Sequence, residues 1–123
     1  IALAQRLGLD GAATLAVIGA SSGHSWIGAD RMARALDGDF APRAHTTLLA
    51  KDSALALAMA AQAGVHPLLG AAAAGQFQAA LAAGFGADDD ARLLSLLQQQ
   101  FAAAAQPADQ PGTAGSESPG AAA

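Results

Sequence analysis

The sequence of 123 residues contains no cysteine and no tyrosine, and only 13% of its residues are charged. Without cysteine the chain has no disulfide, thiol nucleophile or cysteine-ligated metal, which is compatible with a reducing compartment. Six basic and ten acidic residues give a net charge of −4, so the charge balance does not support nucleic-acid binding. The longest uninterrupted apolar run near the middle, 79–87, has nine residues. A membrane-spanning helix needs about 20, so no membrane partner is expected.

Alanine is the most abundant residue, with 37 of 123 positions. Valine, isoleucine and threonine are scarce, and this composition favours helices over sheets. Leucine, isoleucine, valine, methionine, phenylalanine and tryptophan total 28, and none of them follows Phe101. The sequence therefore predicts an all-α bundle whose core comes from the first hundred residues.

The chain begins with Ile1 instead of methionine, and residues 1–7 already have helical apolar spacing. We expect a fragment in which residues 1–105 form one helical domain. Residues 106–123 are rich in proline, glycine, serine and alanine, and they are expected to be a disordered tail. No signal peptide is visible at the start of the chain. We expect a cytoplasmic protein, although a segment missing upstream could carry a targeting signal.

Helix boundaries in the first part of the chain are marked by glycine and by capping residues. Gly8 should end the first helix, and Asp10 should cap a second one. Ser25 should cap a third helix, in which Trp26 is expected to be a core anchor. Residues 37–42 contain two aspartates, a glycine and a proline, and they are predicted to form a turn.

The longest helix is predicted over residues 46–63, and Gly64 should end it. Pro67 is predicted to open the next helix. The aspartates at 88–90 should cap a last helix and complement its dipole. The side chains expected on the buried side of that helix are Leu93, Leu94, Leu97 and Phe101.

Most common catalytic signals are missing. Residues 84–86 (GFG) follow a helix and lack the remaining features of a dinucleotide-binding loop. Nothing marks Ser25 or Ser53 as an activated nucleophile. No metal site is expected, because the three histidines lie 21 residues apart and the aspartates 88–90 are explained as caps. These histidines are His24, His45 and His66.

Lys51 and Asp52 are the only charged residues between Arg43 and Asp88. Asp52 shares a helical stripe with three large apolar residues, Leu48, Leu55 and Met59. We expect Asp52 to point toward the buried side, where a carboxylate needs a donor or a ligand. Lys51 would emerge at the edge of that face. The alternative interpretation is a surface ion pair with a neighbour such as Arg43.

Several segments, in this order and spacing, resemble the C-terminal half of the β-hydroxyacid dehydrogenase family. That family includes 3-hydroxyisobutyrate dehydrogenase, tartronate semialdehyde reductase and threonate dehydrogenase. The resemblance covers roughly residues 1–100. The matching segments are 22–26 (SGHSW), 36–43 (LDGDFAPR), 48–52 (LLAKD), 55–58 (LALA), 63–67 (AGVHP) and 82–86 (AAGFG), with Asp89 and Asp90.

This resemblance implies a two-domain enzyme with a helical domain like that of 6-phosphogluconate dehydrogenase-like proteins. An N-terminal Rossmann domain would bind NAD or NADP, and hydride would move between the nicotinamide and a small 2- or 3-hydroxy acid. The helical domain would close the cleft and support a homo-oligomer. Residues 1–7 resemble the end of the interdomain helix. The catalytic lysine of the family would then lie upstream, and the fragment alone would be inactive.

The same resemblance implies that Lys51 contacts the cofactor and that Asp52 lines the active site. Many relatives carry an aromatic residue where this chain has Ala44, which leaves the substrate open. A second hypothesis, based on the alanine content alone, is a non-catalytic helical module that binds partner helices.

Overall fold

The computed structural model describes residues 1–104, and the regular elements of this part of the chain are all helices, without a β-strand. The all-α prediction is therefore confirmed. A 3-10 helix, Asp90–Arg92, leads into the last α-helix. The predicted tail, 106–123, lies outside the described residues. The six α-helices of the described part are α1 Ala2–Arg6, α2 Gly11–Gly19, α3 Trp26–Leu36, α4 Thr46–Gln62, α5 Leu68–Ala82 and α6 Leu93–Ala103.

The predicted caps are present. An Asp10 carboxylate oxygen accepts a hydrogen bond from the Ala13 backbone N–H at 2.7 Å. The Ser25 hydroxyl accepts one from the Gly28 backbone N–H at 3.1 Å. These contacts satisfy N–H groups that have no partner inside the helix, so local sequence is sufficient to start α2 and α3 where they begin.

The core is formed by α1, α3, the 3-10 helix and α6. Its buried members are small, apart from one leucine: Ala2, Ala35, Ala91 and Leu94. Larger side chains pack around them and stay partly buried: Ile1, Met32, Leu36, Phe40, Leu97 and Phe101. Leu94, Leu97 and Phe101 thus lie on the inner side of α6, as predicted, and Leu96 is buried as well.

Trp26 is not a core anchor, because 73% of its surface is exposed. It is the first residue of α3. The side of this helix that faces the core carries Ala35 and the half-buried Met32 and Leu36. Helical periodicity places Trp26 on the same side as exposed Ala33, away from that core. The prediction for Trp26 was wrong because residue type alone does not choose the face.

The two longest helices, α4 and α5, pack against each other. Their buried positions are small: Thr46 and Ala50 on α4, and Ala74 and Ala80 on α5. Small side chains let helices approach closely while burying little apolar area. Neither these helices nor any other helix of the described part is long and apolar enough to cross a membrane.

Gly84 and Gly75 allow the effect of backbone strain on stability to be measured apart from the effect of side-chain packing. Gly84, after α5, has φ +87°, whereas Gly75 lies within α5, and an added Cβ would meet open space at both positions. Gly84→Ala should lower the free energy of unfolding by about 1 kcal/mol, because alanine is strained at positive φ. Gly75→Ala should raise it by up to about 1 kcal/mol. Urea denaturation of both variants measures these changes, and equal effects would contradict the backbone argument.

Candidate functional site

Lys51 and Asp52 form an exposed ion pair on α4. The Lys51 Nζ atom lies 3.1 Å from an Asp52 carboxylate oxygen, and 68% and 53% of the two side chains are exposed. The expectation that Asp52 points toward the buried side is therefore wrong. The alternative interpretation, a surface ion pair, agrees with the structure, but its members are Lys51 and Asp52 themselves, since the Arg43 guanidinium lies 3.1 Å from Asp30.

The large apolar residues of the same stripe are exposed as well. Leu48, Leu55 and Met59 face outward in the described part of the chain, because α4 turns its small residues inward. We call the five side chains Leu48, Lys51, Asp52, Leu55 and Met59 the open face of α4. An exposed apolar patch on a helix is typical of a surface that another domain or chain covers.

The start of α4 is held by main-chain hydrogen bonds from a distant segment. His45 precedes the helix but makes no side-chain capping bond. Instead, the Thr46 N–H donates to the Asp88 carbonyl at 2.9 Å, and the Thr47 N–H donates to the Gly86 carbonyl at 3.2 Å. Residues 86–90 therefore act as the N-terminal cap of α4.

Asp89 connects this segment to α3 and is fully buried, with 0% of its surface exposed. Both of its carboxylate oxygens accept hydrogen bonds from Arg34, at 3.1 and 3.2 Å. It also accepts bonds from the N–H groups of Arg43 at 2.8 Å and Ala91 at 3.1 Å. Burial alone would raise the pKa of Asp89, but these donors outweigh it and hold the pKa well below its usual range.

The other two aspartates of the run have different partners. Asp90 binds Arg31 at 2.6 Å, and Asp88 binds Arg92 at 2.9 Å. Burial raises the pKa of Asp90, and the neighbouring carboxylate of Asp89 adds to this effect. The described residues contain no group of three or more acidic or histidine side chains that could hold a metal ion.

Helix capping explains only part of what the aspartates at 88–90 do. Asp89 does accept the Ala91 N–H at the start of the 3-10 helix, but the sequence reasoning missed its buried pair with Arg34. The only available signal was complementary charge: Arg31 and Arg34 lie three residues apart on α3, opposite in sign to three consecutive aspartates. Such a signal does not identify which charges meet.

The loop before α3 lines an open, mostly apolar cavity of about 260 Å³. His24 and Ser25 contribute polar groups, and Ile1, Ile18 and Met32 contribute apolar ones. Small-molecule pockets measure about 300–1,000 Å³, so this cavity is too small to enclose a dinucleotide. A second histidine, His45, lies elsewhere, with its Nδ1 atom 2.9 Å from the Ala87 carbonyl oxygen.

Residues 1–97 match a protein family described as "NAD-binding of NADP-dependent 3-hydroxyisobutyrate dehydrogenase". The chain belongs to this dehydrogenase family. Its relatives include L-threonate dehydrogenases of Cupriavidus necator and of Escherichia coli strain K12, each 33% identical over 78% of the chain. The chain covers 32% of each of these proteins, about a third of their length. The family binds NAD(P), as the resemblance implied.

Solved structures agree with this assignment. The 3-hydroxyisobutyrate dehydrogenase of Salmonella typhimurium is 30% identical, with a TM-score of 0.75 over 77% of this chain and 33% of its own. The Mycobacterium tuberculosis 3-hydroxyisobutyrate dehydrogenase, with L-serine, is 29% identical, with a TM-score of 0.65 over 78% and 35%. The dehydrogenase domain described here therefore has the helical fold found in these enzymes.

The buried carboxylate predicts how stability depends on pH. The pKa of Asp89 is lowered by folding, so its contribution is complete above the unfolded pKa of about 3.9 and is lost as the pH falls toward the folded value. The free energy of unfolding should therefore decline below about pH 5. Asp89→Asn should be less stable at pH 7 by about 3 kcal/mol and should decline less steeply in acid. Urea denaturation across this range tests both effects, and an equally steep decline in the variant would contradict the role of Asp89.

Proposed function

We propose that this chain is the helical C-terminal domain of an NAD(P)-dependent dehydrogenase that oxidises a small 2- or 3-hydroxy acid. The observation that carries the proposal is the open face of α4, where two charges lie among exposed apolar side chains in a member of this family. A Rossmann domain upstream would bind the dinucleotide and cover that face. Family membership favours this function over that of a non-catalytic interaction module.

Lys51 is proposed to bind the cofactor. Its ammonium group is exposed, and an exposed ion pair contributes little to the stability of the helix. The residues between Asp52 and Asp88 carry no other lysine, arginine, aspartate or glutamate. A lysine among exposed apolar side chains suits a ligand that carries phosphate or ribose oxygens, and its contact with that ligand would strengthen once the covering domain excludes water. The nicotinamide, when bound, supplies hydride transfer.

Asp52 is proposed to line the active site and to orient its neighbours. Its carboxylate already holds the Lys51 ammonium at 3.1 Å. In a covered cleft it can keep that side chain charged and can accept a hydrogen bond from a substrate hydroxyl. The general acid or base is proposed to be a lysine upstream of residue 1, on the helix that ends with α1. Lys51 is therefore not assigned to proton transfer on the substrate.

The apolar part of the open face is proposed to be an interdomain contact. Leu48, Leu55 and Met59 supply apolar surface that packs against another domain. The Lys51–Asp52 pair between them contacts the ligand. The domain is also proposed to support a homo-oligomer, and the enzyme to work in the cytoplasm. Substrate choice is proposed to depend in part on Ala44, because an aromatic side chain at this position would leave less space for the substrate.

Replacement of Lys51 tests the cofactor role. In the full-length enzyme, Lys51→Ala should raise the dissociation constant for NAD(P)H about tenfold, the effect of losing one charge-assisted hydrogen bond. Lys51→Arg keeps the charge and should retain most of the affinity. Fluorescence titration of the reduced cofactor measures both variants. A wild-type dissociation constant in a folded Lys51→Ala enzyme would contradict the proposal for Lys51.

Replacement of Asp52 tests the active-site role separately. Asp52→Asn keeps the shape of the side chain and removes its charge, so it should lower kcat/KM for the hydroxy acid about tenfold or more. The dissociation constant for the cofactor should change less than in Lys51→Ala. Steady-state kinetics with saturating cofactor measure the first quantity. Unchanged kcat/KM would remove Asp52 from the active site.

A further inference from the structure

We propose that Asp89 is a positioning residue for Lys51, because its carboxylate fixes the segment from which α4 begins. The inference rests on the proposed cofactor role of Lys51. It assigns no contact between Asp89 and the ligand. Asp89 acts through the backbone, by holding the start of the helix that carries Lys51 and Asp52.

The first step is the connection that the carboxylate makes. One buried side chain joins three separate parts of the chain: Arg34 on α3, the backbone of Arg43 before α4, and the backbone of Ala91 in the 3-10 helix. Its own backbone N–H donates to the Phe40 carbonyl oxygen at 3.3 Å. These contacts fix both ends of the loop that runs from α3 to α4.

The second step is the attachment of α4 to that connection. The Asp90 N–H donates to the Ala44 carbonyl at 2.9 Å, and the Thr46 N–H donates to the Asp88 carbonyl at 2.9 Å. The buried Thr46 hydroxyl lies 3.2 Å from the carbonyl oxygens of both Asp88 and Asp89. A Cβ added to Gly86 would lie 3.2 Å from the Thr47 methyl group, so the two segments are in close contact. The first turn of α4 therefore follows the position of residues 86–90.

The third step links the position of the first turn of α4 to the position of the Lys51 ammonium group. Lys51 lies five residues after Thr46, about 7.5 Å along the helix at 1.5 Å per residue. A helix moves as a rigid element, so a shift of its first turn displaces the ammonium group by a similar amount. A shift of about 1 Å takes the ammonium group out of hydrogen-bond distance of a ligand oxygen, because such charge-assisted bonds span about 2.7–2.9 Å. The Lys51–Asp52 pair cannot correct such a shift, because both residues lie on the helix that moves.

A double-mutant cycle in the full-length enzyme tests the inference. Asp89→Asn and Lys51→Ala should each raise the dissociation constant for NAD(P)H about tenfold, and the double variant should raise it no more than about twofold beyond the larger single effect. A purely structural role would not produce this non-additivity in the folded enzyme. Asp89→Asn with wild-type affinity would overturn the inference, and so would effects that multiply to about 100-fold.

The same cycle separates this inference from the function on which it rests. If Lys51→Ala leaves cofactor affinity unchanged, the proposed role of Lys51 fails and the inference fails with it. If Lys51→Ala weakens binding but Asp89→Asn does not, only the inference fails. Asp88→Asn is the matched control. Its carboxylate pairs with Arg92 near the surface, so its effect on affinity should stay within about twofold.

A milder pair of variants keeps the test decisive if Asp89→Asn does not fold. Thr46→Val removes the hydroxyl that contacts the carbonyls of residues 88 and 89 and should raise the dissociation constant for the cofactor about threefold. Thr46→Ser keeps the hydroxyl and should retain the wild-type affinity for the cofactor. Equal affinities in the two Thr46 variants would overturn the inference.

Discussion

The arrangement of this domain depends on one buried carboxylate. A charge removed from water is costly unless hydrogen bonds surround it, and Asp89 meets that requirement with one guanidinium and two backbone N–H groups. Each donor belongs to a different part of the chain. The need to satisfy this single group therefore fixes the path of the backbone between α3 and α4, and with it the direction of α4.

The alanine content explains why the open face of α4 exists. The helices α4 and α5 pack against each other, and their buried positions are small, among them Ala50, Ala74 and Ala80. Leu48, Leu55 and Met59 lie on the exposed side of α4, next to Lys51 and Asp52. A core built from small residues buries little apolar area.

The helix caps of this fold could be predicted from the sequence, whereas the side that each helix turns toward its neighbours could not. Asp10 and Ser25 cap their helices because the capping bond reaches only three residues along the chain. The orientation of Trp26 and of Asp52 depends on which neighbour each helix packs against, and periodicity does not supply that information. The pair of Arg34 and Asp89 joins residues 55 positions apart, so complementary charge alone could not identify it.

The way in which α4 begins has a consequence for anion binding. A free helix N-terminus attracts phosphate because its first N–H groups have no partners and its dipole is positive there. In α4 the N–H groups of Thr46 and Thr47 already donate to carbonyl oxygens of the chain. This helix therefore cannot offer its backbone as a phosphate cradle, and negative charge that approaches α4 must be met by the lysine side chain further along it.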